Sequence, residues 1–469
     1  MPARDKGDKG VAIQLDASMI GDLLARLRAW IDGLSGGPKA SPDPLRVAAR
    51  SATAPAPAPA PAPRLPVPAA PSPAPDRERE ARIAQRSRAL AIRLFGANHP
   101  VENPRDLFGR RRELDDLCAS VLDGCMHAVI YGPRGSGKTS LARVFGDMAD
   151  ERGASVIYLS CAGGSGFGEV MLPYLDEIGP QAFGMRPDEY SEAAAAVAAQ
   201  PTPRSFANLL AQADREDLIL ILDEFDRLED QAAKGQLALL IKLLSDMRTR
   251  VRLVFVGISG DVGDLIDVHA SVRRHLVAIG LTPLADSEVE SFIRTTSRAI
   301  GLDFSAAALS LLRGLVCGSP YHMRLFSLHT CLSAIERDRK TADDGTVLAG
   351  LDRAVNGWRA TNARDFDLFT GLIEGGAFPL AAMEAFATLA ATKLEFTPEE
   401  LVDAFERADV DPALAPRMVE ALAPALGRMT HASSHLVFED VLAPQFMLAM
   451  CAAARWQDRR RTTVAEGTV

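Results

Sequence analysis

Two short runs carry most of the chemistry in this chain. The first is Gly132-Pro133-Arg134-Gly135-Ser136-Gly137-Lys138-Thr139, followed by Ser140. Its glycines let the backbone curl until successive N–H groups face one anion. The lysine that closes the run can reach terminal phosphates, and the hydroxyl beside it suits a hard divalent cation such as Mg²⁺. The second run is Leu218-Ile-Leu-Ile-Leu-Asp223-Glu224. An apolar stretch ending in two acids fits a buried strand. It would deliver Asp223 to the cation and Glu224 to an attacking water as general base.

These residues need a scaffold that brings 132–140 and 223–224 to one place. Apolar segments at 127–131, 155–160, 218–222, 251–257 and 276–281 alternate with helical patterns. That alternation predicts an α/β fold with a parallel sheet covered on both faces. The glycine run then lies between the first strand and the helix that opens at Ser140, the context a phosphate-binding loop requires. Downstream, 285–300, 305–317, 320–337 and 345–358 read as helices with short connections. Residues 362–425 are again helical, 427–438 reads as a hairpin and 440–454 as a final apolar helix.

Taken together, these motifs resemble the AAA+ ATPases, in particular the branch of origin-recognition and archaeal initiator-like ATPases. The resemblance spans about residues 96–340. Phe108-Gly109-Arg110-Arg-Arg-Glu113-Leu114 matches the lead-in motif that lies beside the adenine in that branch. The resemblance implies ATP and Mg²⁺ as ligands, with Thr139 and Asp223 on the metal and residues 132–140 around the phosphates. It implies Ser259 as the sensor at the end of the fourth strand, and Ser160 as a restraint on Glu224. Either Arg273 or Arg274 would reach the nucleotide of a neighbouring subunit in a homo-oligomer. Gly318-Ser-Pro320-Tyr-His-Met-Arg324 resembles the sensor 2 turn of a helical lid. It has Tyr321 where the branch often has arginine, so Arg324, one helical turn later, is the candidate nucleotide contact. Residues 359–455 resemble a winged-helix domain.

Composition places these parts in a longer design. Thirteen of the 30 prolines fall between Pro38 and Pro75, with strict Ala-Pro alternation from Ala54 to Pro63. Alternating proline forbids helix and sheet ladders and favours an extended chain. Residues 38–85 are therefore expected to be a disordered linker. Before it, 1–37 read as a short strand and an amphipathic helix (17–34), a small docking segment for a protein partner or for the body itself. After it come an ATPase core (86–282), a lid (283–358), the winged-helix-like part and a flexible basic tail (456–469).

Charge divides the same way. Residues 1–95 carry 15 Lys+Arg against 9 Asp+Glu, whereas the rest carries 37 against 52, so +6 faces −15. Residues 360–458 alone hold 6 cations against 15 anions. A protein-docking winged helix is favoured over a DNA reader, because phosphate binding draws its strength from cations. No apolar run reaches the ~18 residues of a membrane helix. The six cysteines have neither zinc nor disulfide spacing. Both features lead us to expect a cytoplasmic protein. The leading expectation is an ATP-hydrolysing protein that couples nucleotide state to oligomerisation and partner binding. The alternatives are a slow nucleotide-gated signalling switch, and a DNA-binding initiator or transposition-type regulator.

Overall fold

A computed structural model describes residues 74–96, 101, 106–164, 166–213, 215–257, 270–393, 395–428 and 435–466. The predicted segment 1–37 and most of the Pro/Ala linker lie outside the described residues, as do Ser259 and the tip of the C-terminal hairpin.

Five parallel strands form the central sheet: β1 (His127–Tyr131), β2 (Ser155–Ser160), β3 (Leu218–Asp223), β4 (Val251–Gly257) and β5 (Leu276–Gly280). Their spatial order is β2-β3-β4-β1-β5. The registers Ser160↔Asp223 and Tyr131↔Gly257 bring the C-terminal ends of β2, β3, β1 and β4 to one edge. All six residues of β3 are buried, which is why its sequence is an unbroken apolar run rather than an alternation. Alternate residues serve opposite faces. Ile219 and Ile221 pack against α3 (Lys138–Glu151), while Leu220 and Leu222 face the layer of α4 (Phe167–Ile178) and α7 (Gln231–Asp246).

The lid comprises α8 (Asp286–Arg298), α9 (Ala306–Val316), α10 (Pro320–Glu336) and α11 (Asp344–Arg359), with the short parallel pair β6 (Asp303–Phe304) and β7 (Thr341–Ala342). The C-terminal part has α12 (Ala363–Glu374), α13 (Leu380–Thr392), α14 (Pro398–Arg407) and α15 (Leu414–Leu422). Three short antiparallel strands in the order β8-β10-β9 (Glu395–Phe396, Leu436–Phe438, Leu426–Arg428) and α16 (Ala443–Glu466) complete it. Lid and C-terminal part share one apolar core across the expected boundary at 358/359. Trp358 makes the joint. Its ring stacks on Phe446 at 4.8 Å, and its Nε1–H donates to Asp440 Oδ2 at 2.9 Å.

Three expected boundaries move. A helix, α1, spans Ala74–Phe95, so the linker does not run to 85. Proline ends at Pro75, and Asp76–Phe95 contains nothing that breaks a helix. That helix also packs on the lid rather than on the core to which 86–95 were assigned. Phe95 meets the Phe292 ring edge-on at 5.6 Å, and Arg88 pairs with Glu336 of α10 at 3.0 Å. At the other end, the expected flexible tail from 456 continues α16 to Glu466. Residues 443–466 hold no Gly and no Pro after the first turn, so nothing stops the helix earlier.

Candidate nucleotide-binding site

The phosphate loop starts where β1 ends. Gly135 and Gly137 sit at φ +79° and +93°, which side-chain-bearing residues adopt only with strain. At Gly135 a Cβ would also stand 3.2 Å from Leu442 Cδ2 and 3.3 Å from Tyr321 Cβ. Gly137 begins α3 without a capping side chain. The first-turn N–H groups of that helix, together with its dipole, remain available to an anion. Ser136 Oγ is buried and has no hydrogen-bond partner.

Lys138 folds back over the loop. Its Nζ donates to Gly132 O at 2.9 Å and Pro133 O at 3.0 Å. Burial lowers its pKa, against the opposing pull of Asp226 and Asp223. Ser140 Oγ accepts from the Val101 N–H at 3.1 Å, which holds the lead-in segment to α3.

Asp223 is buried at the end of β3. Its Oδ1 accepts from the Glu224 N–H at 2.8 Å, and its Oδ2 accepts from the Tyr158 hydroxyl. Glu224 is exposed and left-handed (φ +53°), an uncommon conformation for a non-glycine residue. Its carboxylate is held by Arg227 Nη1 at 2.8 Å. That contact replaces the expected restraint by Ser160, which is exposed and makes no such bond among the described residues.

These groups line a cleft of about 850 Å³. Val101, Leu107 and Phe108 form an apolar wall, Arg134 to Ser140 the floor, and Tyr321 and Arg324 the lid side. Arg110 is buried and fastens the lead-in motif: Nη2 donates to Thr282 O at 2.6 Å and Ser136 O at 3.3 Å, and Nη1 pairs with Glu113 at 3.0 Å. Thr139 and Asp223 offer a hydroxyl and a carboxylate oxygen. That donor set fits a Mg²⁺ whose remaining ligands are water and phosphate.

Not every expected site residue takes the expected position. Arg324 borders the cleft, but it spends its guanidinium on two backbone carbonyls, Leu94 O at 3.2 Å and Asp106 O at 2.8 Å, and lies 5.0 Å over the Phe292 ring. Here it ties lid to lead-in segment. Ser259 lies outside the described residues. Arg273 and Arg274 are exposed in the turn before β5. They stand at the N-terminal end of a strand parallel to β1, and the phosphate loop is at the other end, about 16 Å of strand away. Such arginines cannot serve the phosphates of their own chain. Tyr158, Arg227 and Leu442 were absent from the sequence-derived site, and Arg110 entered it only as part of the lead-in motif. Tyr158 had a usable signal, since it shares a strand face with Ser160, two residues from the expected cation.

A glycine-rich loop between a parallel strand and an uncapped helix, with a buried aspartate on a neighbouring strand end, defines a P-loop nucleotide-binding protein. Residues 106–256 match the family model described as AAA ATPase domain. A curated relative, the ORC1-type DNA replication protein 2 of Thermoplasma acidophilum, is 24% identical over 189 residues. The match covers 39% of this chain and 44% of that protein, so the chain matches less than half of its relative's length. Among solved structures, Cdc6p of Pyrobaculum aerophilum aligns at 13% identity and TM-score 0.42, covering 77% of this chain and 97% of that one. Orc1 of Aeropyrum pernix in complex with DNA aligns at 18% and 0.39, covering 73% and 93%. Residues 106–256 are thus similar to the AAA ATPase domain and carry its phosphate loop and acidic strand end. No helix among the described residues is long and apolar enough to cross a membrane.

Proposed function

We propose that the protein is a Mg²⁺-dependent ATPase that couples its nucleotide state to oligomerisation and partner binding. The cleft is the observation that carries this reading: an open phosphate loop, a buried aspartate and an exposed glutamate line one cavity closed on its third side by lid residues. Lys138 would exchange its two loop carbonyls for the β- and γ-phosphates. Thr139 and Asp223 would hold Mg²⁺, which supplies charge neutralisation at the phosphates when bound. Glu224 would leave Arg227 and take a proton from the attacking water. Arg273 or Arg274, placed away from its own phosphate site, is suited to a neighbouring subunit's nucleotide. Lys138→Ala is expected to abolish ATP binding. Glu224→Gln should keep binding while hydrolysis falls by about 10²–10⁴-fold. Normal turnover by Glu224→Gln, measured as phosphate release, would remove the base assignment.

A second reading, a nucleotide-gated switch, is favoured by one contact. Leu442, from the turn that opens α16, stands with Tyr321 over Gly135 of the phosphate loop. A C-terminal part seated on that loop must respond when phosphates enter. In this reading the winged-helix-like part docks protein, in keeping with its acidic composition. The relative's printed role in DNA replication keeps DNA as the alternative partner, and the acidic composition of 360–458 makes it the less favoured one.

A further inference from the structure

We infer that Tyr158 is a positioning residue of the metal site, holding Asp223 in the arrangement a divalent cation requires. The inference rests on the Mg²⁺ reading of that site.

Tyr158 lies on β2 opposite Ile221 of β3, two positions before the pair Ser160↔Asp223. It faces α3, on the side where Ile221 and Phe145 pack. A tyrosine is long enough to cross that diagonal, and its hydroxyl donates to Asp223 Oδ2. That hydroxyl therefore holds, from the neighbouring strand, a carboxylate that would ligate the cation. The phenol ring is itself fixed: the Arg143 guanidinium, one turn along α3, lies 4.7 Å over its centroid. The second Asp223 oxygen is held by the Glu224 N–H. Both carboxylate oxygens are thus oriented before any ligand arrives.

Partners outside the ligand set that orient metal ligands are commonly worth 10–100-fold in metal affinity.

The test is Tyr158→Phe, which keeps the ring and its contact with Arg143. ATP binding would be titrated by fluorescence of a nucleotide analogue, first in EDTA and then over a range of Mg²⁺ concentrations. The expected result is unchanged affinity in EDTA and a Mg²⁺ midpoint raised about tenfold. The unchanged EDTA affinity also reports that the variant is folded. Asp223→Asn, measured alongside, separates two failures. If Asp223→Asn shifts the midpoint and Tyr158→Phe leaves or lowers it, the role of Tyr158 is overturned while the metal site stands. If neither variant shifts it, the metal assignment itself falls, and this inference with it.

Discussion

Glu224 combines an uncommon backbone conformation with an ion pair that engages its functional group. Backbone strain of this kind costs on the order of 1–3 kcal/mol and is kept where surrounding structure enforces it. Here Asp223 accepts from the Glu224 N–H, so the buried aspartate sets the turn that exposes the glutamate. Buried histidines give the residue scale a second testable property. His127 and His322 are fully buried, and burial brings both down from 6.5 to about 3. His127 Nδ1 accepts from the Leu253 N–H at 2.9 Å, so its proton sits on Nε2 and donates to Ser245. The unfolded chain binds these protons below pH 6.5 and the folded chain does not until about pH 3. Stability is therefore lost as pH falls through that window, by up to about 1.4 kcal/mol per pH unit for each histidine. Thermal melts at pH 7 and pH 5 should show this loss. A His322→Phe variant should lose one proton's worth of the slope, and a profile parallel to that of the unmodified protein would contradict the assignment.

Among the elements, the turn between β10 and α16 decides how the C-terminal part meets the nucleotide site. Asp440 caps that turn by accepting from the Leu442 N–H at 3.0 Å and bonds Trp358 of the lid. His322, Phe326 and Trp358 then pack around Phe446. Leu442 thus bears on Gly135 from a rigid base. Leu442→Ala is expected to speed nucleotide association several-fold while leaving the fold intact, as read by stopped-flow fluorescence and a thermal melt. An unchanged association rate would mean that the turn does not gate the loop. The five strands of the parallel sheet were legible because each is a bounded apolar run, and the observed limits differ from expectation by a residue at most, whereas the short strand Glu395–Phe396 interrupts a stretch expected to be helical. A helix over Asp76–Phe95 was legible from its composition, but its docking on the lid was not, because Phe95 and Arg88 meet Phe292 and Glu336, residues some 200 to 250 positions away. The position of Arg324 was hidden for the same reason, since both of its carbonyl partners come from segments remote in sequence.

For the whole molecule, the lid and C-terminal part behave as one packed body, with helix α1 against the lid and the phosphate loop under both. A change at the phosphates is then transmitted to a large unit rather than to a loose lid. Arginines 273 and 274 are exposed and remote from their own phosphate loop, as the proposed site shared between copies requires. Glu224→Gln, which should retain ATP, is expected to gain mass in solution on adding ATP and Mg²⁺, and an Arg273/Arg274→Ala double variant to lose activity that mixing with Glu224→Gln partly restores. A monomer under every condition, by light scattering, would leave the switch as the surviving reading.

The sequence by itself determined the phosphate loop, the acidic strand end and the alternation that makes a parallel sheet. These are local patterns: a glycine run needs only its neighbours to curl, and a buried strand only its own apolar side chains. It also carried the opposition between a basic N-terminal part and an acidic body. Tertiary structure alone decided that Tyr158 holds Asp223, that Arg227 rather than Ser160 holds Glu224, and that Leu442 stands over Gly135. Each of the three depends on a side chain's direction, and two join residues distant in the chain. No period or spacing encodes such contacts, because they arise only once sheet register and helix packing have brought the segments together.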